Sequence, residues 1–429
     1  KIMWKFSFSE TRIQTISIPK SVETIDNDAF YKCSLLNEVV FSPDSKLSKL
    51  GKYSFASSTI QKFSIPNNVL ILKERTFSHC NKLKEVLIGE KSKLEKIEQN
   101  VFANSGIEKL EFGSEINELE DGWCRYTNKL NIINIPTTNQ HFILDENKLL
   151  LGKSKSKSSI NSNDNENDDD NKTEKENLYD SVYFAPRNIE KVSIPSFIQN
   201  IKSYAFSGCM KLNQVQFQET SKLTTFCTES FSYSSLTDII IPKHVKTIGK
   251  SSFTDCKKLE NVKFSQDSEL QIIGENAFSN TGIKNISLPK SVIELKKGSF
   301  ENCHFIKSFQ IPEDSQLKSI CSMALYSTQI NSIFIPKSVK IIEDSAFQRC
   351  TKLKKIDFAE EFEPTNLSLS IFVNSTFQKF DIPAQIKDID VTLYYFLNGI
   401  KEVTVSPKNP YYSVIDGKIF VKKSDGDVR

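Results

Sequence analysis

The sequence predicts a repeat solenoid of about 16 coils, with a parallel β-sheet on one face, short turns or 3₁₀ segments on the other, and two β-hairpin insertions. Three observations predict it. Proline stands at 195, 242, 289, 336 and 383, five positions 47 residues apart, and the earlier pair Pro19 and Pro66 keeps the same interval. A fixed period of this kind marks stacked copies of one structural unit. Each 47-residue step divides into two unequal repeats, because an apolar closing residue recurs at alternating steps of 23 and 24, from Ile18, Phe41, Ile65 and Ile88 onward to Ile335, Phe358, Ile382 and Val405. Finally, a large apolar residue, usually Phe, precedes each closing residue by ten or eleven positions.

Each closing segment reads as a strand. In Leu259-Glu260-Asn261-Val262-Lys263-Phe264 the alternation places Val262 and Phe264 on one face and Asn261 and Lys263 on the other. Copies about 23 residues apart leave room only for a compact return, so the strands stack in parallel at about 4.8 Å. Proline after the strand removes no essential ladder bond and ends it. The following I-P-x-x-V-x-x-I segment reads as an extended piece leading into a turn or 3₁₀ segment.

The recurring Phe (Phe30, Phe55, Phe77, Phe102, Phe231, Phe253, Phe278, Phe300, Phe347, Phe372, with Tyr394 last) predicts an interior column opposite the sheet. Cys124 interrupts this series, with Trp123 adjoining it. An aromatic cage for a cofactor competes with this reading, but a residue repeated once per coil is spaced for packing.

Six of nine cysteines, Cys33, Cys80, Cys209, Cys256, Cys303 and Cys350, lie three residues after the Phe of alternate repeats, where the other repeats carry Ser or Thr. Like positions two coils apart are separated by about 10 Å, beyond the roughly 7 Å Cα limit for a disulfide. Separate thiols, packed small and bonded to backbone carbonyls, are therefore expected. Metal or nucleophile chemistry lacks its pattern: there is no C-x-x-C, only four histidines occur, and His304 beside Cys303 has no repeated orienting group. Neither cofactor nor metal is expected, and no nucleotide-binding, zinc-protease or hydrolase motif occurs.

The 59 residues from Ile135 to Ile194 exceed one repeat. Residues 153–177 hold one apolar side chain, Ile160, and are expected to be a disordered loop. Its Asp164 to Asp168 run lacks the glycine and closing Glu of a calcium loop. Asn139 to Gly152 resembles Asn409 to Lys422, and Asp416-Gly417 between alternating apolar residues signals a hairpin turn. The organisation read is repeats over 1–135, the first truncated; a hairpin-type repeat over 136–193 carrying the loop; repeats over 194–405; and a truncated hairpin over 406–429. Both hairpins are expected to project from the solenoid, and the chain, opening within a repeat and carrying no cap, reads as a section of a longer protein.

The chain alternates A-F-x-x-C-x-x-L-x-x-V-x-F and F-x-x-S/T-x-I-x-x-I-x-I-P units, and residues 26–41, 250–264 and 343–358 show the first of them, with Ser252 in place of its Ala in the second copy and Ile356 in place of its Val in the third. With the hairpin at 409–420 they make the chain resemble the BspA-like leucine-rich repeats, especially the protist surface-antigen type. The resemblance implies a leucine-rich-repeat horseshoe or right-handed coil, frequent location at the cell surface of bacteria or mucosal protists, adhesion to matrix proteins or other microbes, and no catalytic residues.

Composition narrows the function further. Lys plus Arg total 56 against 53 Asp plus Glu, so no basic excess points to nucleic acid. No apolar run reaches the length of a membrane span, so no membrane contact is expected within this segment. The function expected is non-catalytic recognition of a protein or glycan, on a host matrix or another cell surface, through strand positions left exposed. The candidates are Glu260, Asn261, Lys284, Asn285, Asn331, Ser332, Lys354, Lys355 and Lys379. An intracellular scaffold using the same face is the alternative, and occupancy of the glycosylation sequons at Asn171, Asn285, Asn366 and Asn374 distinguishes the two.

Overall fold

The computed structural model describes residues 1–154, 178–364, 366–367, 371, 374, 379–384, 402–416 and 418–422. The expected disordered loop, apart from Lys153 and Ser154, lies outside these residues, as do Phe372, Tyr394, Gly417 and the sequon residue Asn171. The chain divides into two units, Lys1–Val192 with Phe197–Leu212, and Ser193–Ser196 with Asn213–Arg429.

In the first unit the strands Lys62–Ile65, Glu85–Ile88, Lys109–Glu111 and Ile132–Asn134 form a four-stranded parallel sheet, and Thr15–Ile18 pairs in parallel with Glu38–Phe41. Alternation decides which face is buried: in Lys62–Ile65, Phe63 and Ile65 are covered while Lys62 and Ser64 face solvent. The second unit repeats the arrangement. Asp238–Ile241, Asn261–Phe264, Asn285–Ser287 and Ser308–Gln310 make one parallel sheet, Ser332–Ile335 pairs with Lys355–Phe358, and Lys379–Ile382 with Glu402–Val405.

Opposite these strands run short turns, together with an element absent from the sequence reading. The V-x-x-I segment ends in two-residue strands, such as Thr24–Ile25, Lys49–Leu50, Ile71–Leu72 and Lys96–Ile97, that pair in parallel into a second sheet. The second unit has the same feature in Thr247–Ile248, Ile272–Ile273 and Glu294–Leu295. Its cause is the stacking itself, which holds successive backbones within pairing distance wherever the chain is extended.

The turn that follows is built from left-handed residues. Around Phe55, Tyr53 and Ser57 have φ of 55° and 59°; around Phe77, Arg75 and His79 both have 58°. Alternating left- and right-handed conformations aim every second N–H at the next coil: Tyr53 donates to the Glu74 carbonyl at 3.2 Å, Phe55 to Thr76 at 3.0 Å and Ser57 to Ser78 at 2.8 Å. A 3₁₀ segment would satisfy these donors within its own coil and leave nothing to join the stack. The strain of about 1–2 kcal/mol per left-handed residue is offset by these bonds and by the Phe between them.

Those Phe side chains form the expected columns. In the first unit Phe8, Phe30 and Phe55 stack at centroid distances of 5.1 and 5.0 Å, with ring planes within 5° of parallel. In the second, Phe231, Phe253, Phe278 and Phe300 stack at 5.4, 5.2 and 5.3 Å. Where Cys124 interrupts the series, the neighbouring Trp123 supplies the ring, lying 6.4 Å from Phe102 and 6.1 Å from Phe184.

The first hairpin does not project as expected. Phe142–Leu144 and Leu150–Gly152 are antiparallel, Leu150–Gly152 pairs again with Ser181–Phe184, and that strand joins Asn200–Ile201 in parallel. The reason lies in its apolar content, since Leu149, Leu150 and Leu151 are all buried. Gly152 permits the close approach, because a Cβ there would stand 2.6 Å from the rings of Phe142 and Tyr183. In the second unit Tyr412–Ile415 and Lys418–Val421 form the expected hairpin, with Asp416 at φ 49° in its turn.

Candidate functional site

The parallel register brings the candidate side chains into rows across the strands of the second unit. Asp238, Asn261, Asn285 and Ser308 are register partners in successive strands, as are Ser332 and Lys355. Glu260, Lys284, Asn331 and Lys354 each stand one residue before these strand positions. All eight described candidates among these residues are exposed, while Val262, Ile286, Ile333 and Ile356 between them are buried. Lys379 opens the strand Lys379–Ile382, opposite Glu402, and its side chain lies outside the described residues.

The rows are charged but largely neutralised. Lys284 pairs with Glu260, and the Lys355 ammonium lies 2.8 Å from Asp357. The equivalent face of the first unit is tied together more completely, with Glu85 at 2.9 Å from Lys62 and 3.1 Å from Lys109, which in turn lies 2.7 Å from Glu111. The Lys62 and Lys109 bonds hold the Glu85 carboxyl below its ordinary range, and Glu111 first, then Glu85, raises the Lys109 ammonium.

A second exposed row, in which the sequence reading places Lys263 on the solvent face, is not among its candidates. Ile240, Lys263, Ser287 and Gln310 are exposed, with Phe334 half-buried beside them. Ile240 is 59% exposed despite lying in an all-isoleucine run, Ile239-Ile240-Ile241. Composition conceals such a residue; only strict alternation from buried Ile239 and Ile241 reveals it. At the C-terminal ends of these strands a shallow depression of about 560 Å³ is lined by Phe264, Ser287, Pro289, Pro312 and Asp314.

The cysteines face inward. Cys256, Cys303 and Cys350 donate to the carbonyls of Phe231, Phe278 and Leu325, one coil earlier, at 3.1, 3.0 and 3.2 Å. Each also touches the Ser or Thr hydroxyl of that coil, and burial pushes all three thiols up to about 11. His304 is directed outward, its Nδ1 lying 3.0 Å from the Ser327 carbonyl, so it does not meet the Cys303 sulfur. Among the described residues no group of His, Cys, Asp and Glu is arranged to hold a metal, and no helix is long and apolar enough to cross a membrane.

A family model described as the BspA type leucine rich repeat region matches residues 1–141, 177–307 and 271–401, in 6 copies. Among solved structures, the pneumococcal vaccine antigen PcpA is similar, at 18% identity over 94% of this chain and 84% of that one, with a TM-score of 0.53. A leucine-rich repeat protein of Eubacterium ventriosum matches at 17% identity over 73% and 83% of the two chains, with a TM-score of 0.54. A leucine rich cell surface protein of Faecalibacterium prausnitzii matches at 18% identity over 82% and 81%, with a TM-score of 0.50. At such identities the likeness is one of fold. No curated protein matches the chain.

Proposed function

The chain belongs to the BspA-type leucine-rich repeat family, and from that premise we propose that it is a non-catalytic recognition module that binds a protein or glycan on another surface through the strand face of its second unit. The observation that carries this reading is the separation of roles along each strand, where Val262, Ile286, Ile333 and Ile356 secure the core and Asn261, Asn285, Ser332 and Lys355 are left to solvent. A rigid, broad, polar sheet suits an extended partner better than a small molecule, because contact is spread over several coils instead of concentrated in a deep pocket. Two structural neighbours, a vaccine antigen and a leucine rich cell surface protein, support placing this chain at a cell surface too.

The test compares binding to immobilised extracellular-matrix proteins and mucin for the wild type, for K354E/K355E/K379E, and for K243E/K337E as a control in the outer turns. Loss of at least tenfold in the first variant with little change in the control is expected. Equal loss in both would indicate general charge attraction, and loss in the control alone would move the site off the strand face.

A further inference from the structure

Charge is distributed unequally between the two ends of the strands in the second unit. At their C-terminal ends most of the lysines are matched, Lys290 with Asp314 at 3.8 Å, Lys337 with Glu361 at 2.8 Å and Lys408 with Glu360 at 2.7 Å, and Lys243 is exposed without an ion pair among the described residues. At their N-terminal ends Lys258, Lys307, Lys352 and Lys354 are exposed and make no ion pair among the described residues. The carboxylates nearby in sequence are already engaged, Glu260 by Lys284, Asp357 by Lys355 at 2.8 Å, and Asp255 by Asn280 and, at 4.0 Å, Lys257.

These lysines have repeating stations. Lys258 and Lys352 each stand two residues after a buried cysteine, Cys256 and Cys350, and Phe305 holds that station after Cys303 on the coil pair between them. Like stations two coils apart are separated by about 10 Å, so the row Lys258, Phe305, Lys352 extends roughly 20 Å across the strands. Phe305 is 59% exposed, in contrast to the buried ring column one turn away. Lys258 and Lys352, roughly 20 Å apart, lie beyond the Debye length of about 8 Å at physiological salt, so each acts as a separate cationic station for an anionic chain laid along the row.

We propose that this N-terminal edge binds a sulfated polysaccharide, with Lys258, Lys307 and Lys352 contacting its sulfate groups and Phe305 its sugar rings. Charge complementarity requires a polyanion. A polysaccharide fits better than an acidic peptide because the row crosses the strands and offers side chains alone; peptide capture by strand addition needs a free sheet edge running along the ligand. The row also consists of lysines, point charges suited to single sulfates, where paired carboxylate recognition favours the planar fork of arginine. The inference rests on the reading of this chain as a binding module and specifies the partner's chemistry for one edge of it.

The experiment measures retention of the full chain on immobilised dextran sulfate, neutral dextran and polyglutamate, with K258E/K307E/K352E set against the equal charge change K243E/K290E/K337E at the opposite edge. Circular dichroism and melting temperature establish that both variants fold. Expected are salt-sensitive binding to dextran sulfate alone and at least a tenfold loss confined to the N-terminal-edge variant. Equal loss in both variants, binding to polyglutamate as tight as to dextran sulfate, or no binding to dextran sulfate by the wild type would each overturn the proposal. The recognition reading fails separately, since it depends on K354E/K355E/K379E and on matrix or mucin binding, neither of which enters this comparison.

Discussion

The Cys303 thiol donates to the Phe278 carbonyl at 3.0 Å, so that the residue anchoring one coil is bonded to the stacked ring's own backbone in the coil before it. Cys80 and Phe55 repeat the relationship in the first unit at 3.1 Å. A column of aromatic rings and a line of small hydrogen-bonding groups thereby secure the same turn from two sides.

This geometry predicts how the position tolerates substitution. C303S retains a donor of similar size and is expected to stay within about 1 kcal/mol of the wild type, whereas C303V leaves the Phe278 carbonyl without that donor at a cost of about 1–3 kcal/mol. Urea unfolding monitored by circular dichroism checks both, and equal stability of the two variants would show that the thiol only fills space.

The buried thiols also predict a pH dependence. Burial raises Cys80, Cys124, Cys256, Cys303 and Cys350 from the ordinary value of 9.0 to about 11. Between these values the unfolded chain has released thiol protons that the folded chain still holds, so stability falls as pH rises. The contribution is complete below about 9 and is lost as pH passes through about 11. Melting temperatures from pH 8 to 11 should therefore decline, and a variant with all five replaced by serine should decline less steeply.

Removing one ring should open the column. Phe253 lies 5.4 Å from Phe231 and 5.2 Å from Phe278, fully buried, and F253A is expected to cost about 3–5 kcal/mol. W123F should be milder than W123A, because a smaller ring still occupies the gap between Phe102 and Phe184. Denaturant midpoints rank the three variants; a W123F as damaging as W123A would mean that the indole itself, not an aromatic at this place, is required.

Asn139 anchors the first hairpin from both ends of its amide. Its Nδ2 donates to the carbonyls of Gly113, Ser114 and Ile116 at 3.2, 3.0 and 2.9 Å, and its Oδ1 accepts from the N–H groups of His141 and Phe142 at 2.8 Å each. Asn409 makes the corresponding bonds to Pro383, Tyr411 and Tyr412. N139D would turn a carboxylate oxygen toward three carbonyls, and it is expected to lower the melting temperature more than N139A does. Hydrogen exchange at Phe142 reports the loss locally.

The 47-residue proline interval, the closing apolar residues and the once-per-coil Phe were legible in the sequence because each coil meets only copies of itself. Burial of Val262, exposure of Asn261 and the inward thiols followed from that periodicity, as did the likeness of Asn139 to Asn409. Residues whose partners lie in a different kind of coil were not legible. Arg187 stands three residues after Phe184, where Cys or Ser belongs, and is 3% exposed. Its guanidinium donates to the Ala205 carbonyl at 2.7 Å and to the Tyr204 carbonyl at 3.2 Å, lies over the Phe184 ring at 4.7 Å, and meets the sulfurs of Cys124 and Cys209. No local pattern announces a buried arginine, since the Ala205 and Tyr204 carbonyls that accept from it come from a neighbouring coil and the space for it arises where the repeat is broken. The two-residue sheet, the left-handed turns and the unpaired lysine edge have the same origin: periodicity sets which residues point inward, but only stacking decides which backbone groups and which opposite charges come within reach of one another.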